Sequence, residues 1–113
     1  MDDMDPRLLA FLQQTVNSFI KWDLLRFFHD NPHAADTAEN IARYIGRDLS
    51  TVEQELLRLV DDQVVRLTEV PGARIFSLAD NPEMQAMVDE FLLACNDRQF
   101  RVKAIYHVIR AMR

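Results

Sequence analysis

Residues 37–67 read "TAENIARYIGRDLSTVEQELLRLVDDQVVRL", and the spacing of apolar side chains in this stretch decides the fold. Ile41, Ala42 and Ile45 lie one turn apart on a single helical face, and Gly46 then offers the left-handed residue that stops a helix. Asp36, just ahead, can cap this helix, with Glu39 three residues on as in a capping box. A second helix follows over 49–62, with Val52, Leu56 and Leu59 spaced four and three apart. Two caps compete for its start. Ser50-Thr51-Val52-Glu53 has the S-x-x-E spacing of a capping box, and Asp48 stands directly before the helix.

Working outward, residues 64–69 ("VVRLTE") and 74–79 ("RIFSLA") read as strands around Val70-Pro71-Gly72-Ala73, whose Pro-Gly pair suits the centre of a type II turn. Upstream, Leu8, Leu12, Val16, Phe19, Trp22 and Leu25 recur at helical spacing from Pro6 onward, and Pro32 ends that region. Asn17-Ser18 leaves open whether it is one helix or two. Residues 1–5 form an acidic arm, read as mobile. Downstream, Asn81-Pro82 supplies a cap and a first-turn proline.

The segment 81–112 carries Met84, Met87, Val88, Phe91, Cys95, Val102, Ile105, Tyr106, Ile109 and Met112 on one stripe if its helix is unbroken. At ~1.5 Å per residue such a helix outruns the small domain beside it. A second copy of the chain is the economical cover for what it leaves exposed. The expected dimer contacts are Leu8, Leu12, Phe91, Cys95, Val102, Ile105, Tyr106, Ile109 and Met112. The competing reading is a break at Asn96-Asp97, with two ordinary helices folding back on the core.

The order helix, helix, turn, helix, strand, turn, strand is that of a winged helix-turn-helix. The expected class is mostly α with a small β-hairpin wing (α+β), as one domain over 1–113 with its winged core at 22–79 and extended N- and C-terminal helices. The stretch resembles the arsenical-resistance-repressor and multiple-antibiotic-resistance-repressor families of transcriptional regulators. Ile41-Ala42 and Ile45-Gly46 match their first motif helix and turn; Thr51-Val52, Leu56 and Leu59 match their recognition helix; Val64-Val65 opens the first wing strand. "WDLLRFFHDNP" (22–32) is similar to the helix that precedes the motif. The resemblance covers about 22–79 and implies a bacterial-type, dimeric, cytoplasmic regulator that binds duplex DNA. This fold also serves as a protein-docking module, so a protein partner is the alternative. Gln63 stands where these families usually place glycine ahead of the first wing strand, which implies a strained left-handed residue there.

With Val52, Leu56 and Leu59 inward, Ser50, Gln54 and Arg58 fall along the middle of the exposed face, with Thr51 beside them. Glu53 and Glu55 rotate to opposite flanks. Gln can bond an adenine edge, Arg a guanine edge, and Ser or Thr a base or phosphate. Arg66 on the first strand and Arg74 after the turn are the wing's candidates for a DNA groove. The nominated DNA contacts are thus Ser50, Thr51, Gln54, Arg58, Arg66 and Arg74, against the alternative of an ordinary solvated face. Exposed Leu57, together with the acids, would instead favour a protein partner.

Composition sets the other bounds. Of 113 residues 49% are hydrophobic and 27% charged, and only two are glycine, a helical and well-cored balance. The formal charge of -5 has the wrong sign for a protein that finds phosphates by bulk electrostatics. Binding to DNA is therefore expected to be weak or effector-dependent. The bases after Asp97 (Arg98, Arg101, Lys103, Arg110, Arg113) scatter around the helical wheel rather than forming one phosphate-binding or membrane-surface face. Cys95 is the only cysteine, which rules out an intramolecular disulfide and a multi-cysteine metal cluster within one chain. His29 and His33 have a ligand spacing, but Pro32 breaks the helix between them. Cys95 and His107 would stand ~18 Å apart along one helix, too far for a nucleophile and its base. No glycine-rich phosphate loop, basic n-region or ~20-residue apolar span is present. The expectations are no enzyme, cofactor, metal or membrane span.

Overall fold

A computed structural model describes residues 4–112. The helices run α1 (Pro6–Gln14), α2 (Phe19–Asp30), α3 (Ala38–Ile45), α4 (Leu49–Asp61), α5 (Pro82–Ala94) and α6 (Arg98–Ala111). A small antiparallel sheet has β1 (Ala35–Asp36), β2 (Val65–Val70) and β3 (Ala73–Leu78) in the order β1-β3-β2. Residues 1–3 of the expected arm lie outside the described residues. Asp5 is not arm but cap, accepting from the Arg7 amide at 2.8 Å with Pro6 in the first turn.

The long N-terminal periodicity resolves into two helices. Thr15 and Val16 leave the helical path as buried residues, and the Ser18 side chain caps α2 by accepting from the Lys21 amide at 3.1 Å. Between α3 and α4 the turn works as its glycine demands. Gly46 takes φ 72°, so its own amide and that of Arg47 both return to the Ala42 carbonyl. Thr37, rather than Asp36, caps α3; the Asp36 carboxylate instead accepts from the Thr37 amide and the Asn40 side chain. Asp36 is held in β1, paired with Phe76, one residue too early to cap. At α4 Asp48 outcompetes Ser50, accepting from both the amide and hydroxyl of Thr51.

Strands β2 and β3 form the wing hairpin, in register from Val65↔Leu78 to Val70↔Ala73 around a turn with Gly72 at φ 80°. Gln63 carries φ 64°, a left-handed conformation that costs about 1 kcal/mol without glycine. Amides on either side hold it: Gln63 N–H reaches Val60 O and Val64 N–H reaches Leu59 O, both at 3.0 Å. Its side-chain carbonyl also accepts from Asn81 at 2.9 Å, which ties the wing base to the start of α5.

The single helix expected over 81–112 is two. Helix α5 ends at Ala94, Cys95 to Asp97 turn, and α6 restarts with Asp97 in the cap position. The physical reason is that apolar surface on both halves is buried inside the protomer. Phe91 is fully buried, edge-on to Phe11, Trp22 and Phe100 at 5.7, 5.3 and 6.1 Å between centroids. Ala104 and Val108 of α6 are buried as well, and α6 packs on α1. A straight helix would carry these residues away from the ring cluster. Leu8, Leu12, Phe91 and Cys95, expected at a dimer contact, therefore belong to the protomer's own core.

Burial pushes the Cys95 thiol up to about 11, against the opposing fields of Arg26 and Arg101. Cys95 is thus expected to resist iodoacetamide at neutral pH until the protein is denatured; labelling of the native chain at the rate of a free thiol would contradict its burial. The raised value also gives a sign for stability. The unfolded thiol ionises near its ordinary 9.0 while the folded one stays protonated, so stability falls as pH rises from there toward about 11.

Candidate nucleic-acid interface

Helix α4 exposes Ser50, Gln54 and Arg58, with Thr51 half-buried beside them. The expected polar stripe is therefore present on the second helix of the helix-turn-helix pair. The Gln54 side chain has no intramolecular hydrogen bond among the described residues. The Arg66 side chain, exposed on β2, has neither a hydrogen bond nor an ion pair there either. These two side chains are free to meet a duplex.

Two of the three nominated arginines are engaged by carboxylates, Arg58 by the same-helix Glu55 that its spacing allowed. Arg58 Nη1 donates to Glu55 Oε2 at 2.8 Å, and Arg74 lies 3.7 Å from Glu53 across the gap between wing and helix. Glu55 is not on the flank that wheel geometry gave it. It is 6% exposed and buried against α2, where Ser18 Oγ donates to Glu55 Oε1 at 2.8 Å. Ser18 thus serves twice, accepting from Lys21 N–H to cap α2 and donating to the carboxylate of α4. Lys21 is itself buried, its ammonium donating to Asn17 Oδ1 at 2.7 Å. Partial burial raises the Asp62 carboxyl at the end of α4 above its ordinary range; Lys21 opposes that shift and Asp61 adds to it.

This network went unread in the sequence because its members are far apart along the chain. Asn17-Ser18 stood out only as a helix break, and nothing in local spacing joins Ser18 to Glu55 thirty-seven residues later. A buried carboxylate with one arginine partner is costly to leave unpaired. Arg58 therefore carries a structural duty that competes with any contact to DNA. Leu57, read as exposed, is half-buried against the core.

The wing and the helix pair enclose a cleft of about 420 Å³. Glu39, Glu53 and Glu69 line it against a single base, Arg74, with Leu49 and Val70 as exposed apolar neighbours. The nominated contacts thus stand beside a locally acidic groove. On α6, Val102, Tyr106 and Ile109 are exposed at i, i+4 and i+7, with exposed Met112 beyond and Ile105 half-buried beside them. Arg110 lies over the Tyr106 ring at 5.6 Å and donates to its hydroxyl. Among the described residues no group of three or more His, Cys, Asp or Glu is placed to hold a metal. No helix there is long and apolar enough to cross a membrane.

No protein-family model and no curated protein matches this chain. Solved structures do. One is the homodimeric winged helix-turn-helix DNA-binding domain (fragment 1–100) of a possible ArsR-family transcriptional regulator from Mycobacterium bovis. It is 17% identical at TM-score 0.54, covering 85% of this chain and 91% of that one. Another is a possible transcriptional regulator from Methanosarcina mazei, 11% identical at TM-score 0.56 over 82% of this chain and 81% of that one. At such identities the likeness speaks to architecture alone, and it agrees with the helix-turn-helix and hairpin described above: this chain is a winged helix-turn-helix domain.

Proposed function

We propose that the protein is a dimeric, regulator-type duplex-DNA-binding protein rather than an enzyme, and that it works in the cytoplasm. The observation that carries this reading is the exposed stripe of Ser50, Gln54 and Arg58 on α4, with unpaired Arg66 on the adjoining wing. Phosphate attraction is supplied by few bases and opposed by Glu53 and Glu69, so binding is weak, and with few phosphates neutralised its salt dependence is shallow.

Gln54 and Arg66 test the reading more cleanly than Arg58, because their removal breaks no internal bond. In a low-salt titration against a pool of random duplexes, Gln54→Ala and Arg66→Ala are each expected to weaken binding about fivefold or more while leaving the melting temperature unchanged. Flat titrations of the parent chain at low salt would sink the proposal.

Dimerisation is assigned to the α6 stripe of Val102, Tyr106, Ile109 and Met112, with Ile105 at its edge. What supports this is a contiguous apolar row left open on a terminal helix, together with the homodimeric state of the Mycobacterium bovis domain. Ile109→Glu places a charge on that row, and a shift to monomer in sedimentation equilibrium is the expected result. An unchanged mass would remove α6 from the interface.

A second reading rests on the acidic cleft between wing and helix pair. Glu39, Glu53 and Glu69 beside exposed Leu49 and Val70 suit a basic protein segment better than a phosphate backbone. Under that reading duplex DNA does not bind, and Glu69→Lys abolishes capture of a lysine-rich peptide.

A further inference from the structure

Arg74 stands near the tip of the wing, two residues beyond Gly72 and in register with Glu69 on the neighbouring strand. Its guanidinium lies 3.7 Å from Glu53 Oε2 on α4, with the two side chains 43% and 44% exposed. Among the described residues it is the one base lining the cleft between wing and helix pair, against Glu39, Glu53 and Glu69. Glu53 precedes Gln54 in sequence, so the contact ties the wing to the edge of the exposed stripe. Arg66, on the same hairpin, has no such partner and stands exposed. A carboxylate offers a guanidinium what a phosphate offers, a negative charge shared over oxygens. Glu53 therefore occupies the ligand place of Arg74 from within the chain.

We infer that Glu53 is an autoinhibitory brake on duplex binding: it holds the wing arginine, Arg74, away from backbone phosphate. The inference rests on the duplex-reading function proposed above. Its distance and exposure suit the role, because an exposed pair is weak and can exchange one anion for another. The pair of Arg58 with Glu55 cannot act in the same way. Glu55 is buried and its other oxygen accepts from Ser18, so releasing Arg58 leaves a buried charge short of a partner. The two carboxylates beside the exposed stripe thus differ in kind, Glu55 fixing its arginine and Glu53 restraining one that can be released.

The test is a double-mutant cycle in the full chain, read by titration with a pool of random duplexes at several salt concentrations. Parent, Glu53→Gln, Arg74→Gln and the double variant are compared. Glu39→Gln is the control for simple loss of repulsion, since Glu39 lines the same cleft and its side chain forms no ion pair among the described residues. Glu53→Gln is expected to tighten binding about fivefold, more than the control does. The slope of log affinity against log salt is expected to steepen by about 0.9, one further phosphate neutralised. Arg74→Gln alone changes binding by less than about twofold, because that arginine is already occupied. In the double variant the excess over Glu39→Gln disappears and the salt slope returns to that of the parent. A gain no larger than the control's, or one that survives the loss of Arg74, would overturn the brake while leaving duplex binding by the parent intact. Flat titrations of both the parent and Glu53→Gln would overturn the duplex reading, and the brake with it.

Discussion

Phe91→Ala is expected to lower the unfolding free energy by about 4 kcal/mol, the range seen when a fully buried phenylalanine is truncated. For a domain of this size that is a fall of roughly 15 °C in Tm. The magnitude follows from the position of the ring. It meets Phe11 of α1, Trp22 of α2 and Phe100 of α6 while standing on α5, so one truncation loosens four helices. The same experiment separates core from interface. A dimer contact would show its loss as a changed dependence of Tm on protein concentration. A core residue gives the same drop at low and high concentration, and thermal melts at both are the check. A loss below about 1 kcal/mol, or one confined to dilute protein, would return Phe91 to the dimer surface.

Arg58→Ala has the second-largest expected effect, about 2 kcal/mol of stability, although the arginine itself is largely exposed. The cost lies with its partner. Glu55 stays in its buried place with Ser18 as its remaining hydrogen-bond donor, and an uncompensated buried charge is more costly than a lost surface pair. Replacing both residues, as Glu55→Met with Arg58→Ala, is expected to recover most of the loss, because the carboxylate that needed pairing is gone. Urea denaturation of the two single variants and the double variant gives the coupling directly. Additive losses would show that the pair carries no net interaction.

The parts of this fold that could be read in advance are those in which near neighbours decide the outcome. Ile41, Ala42 and Ile45 with Gly46, then Val52, Leu56 and Leu59, placed both motif helices within a residue or so of their ends. Pro71-Gly72 placed the wing turn, and Asn81-Pro82 placed the start of α5. What could not be read was set by partners distant in sequence. Strand β1 is only two residues long, too short to show alternation, and exists because Ala35 and Asp36 pair with Ser77 and Phe76. The continuous helix was the favoured local reading over a break at Asn96-Asp97, and the ring cluster around Phe91 decided for the break. Glu55 looked like a surface acid from helical phase alone, yet lies close enough to α2 for Ser18 to claim it.

The candidate site divides the same way. Periodicity placed Ser50, Gln54 and Arg58 on one exposed face and allowed the i,i+3 pair of Arg58 with Glu55, while the approach of Arg74 to Glu53 depends on tertiary distance.

The most direct test of duplex reading by α4 is amide chemical-shift mapping of the labelled protein with a short duplex at low salt. The proposal expects shifts centred on Ser50, Thr51, Gln54 and Arg66, diminishing as salt is added, with α6 little affected. Shifts confined to α6 or to the acidic wing cleft, or no shifts at low salt, would contradict it.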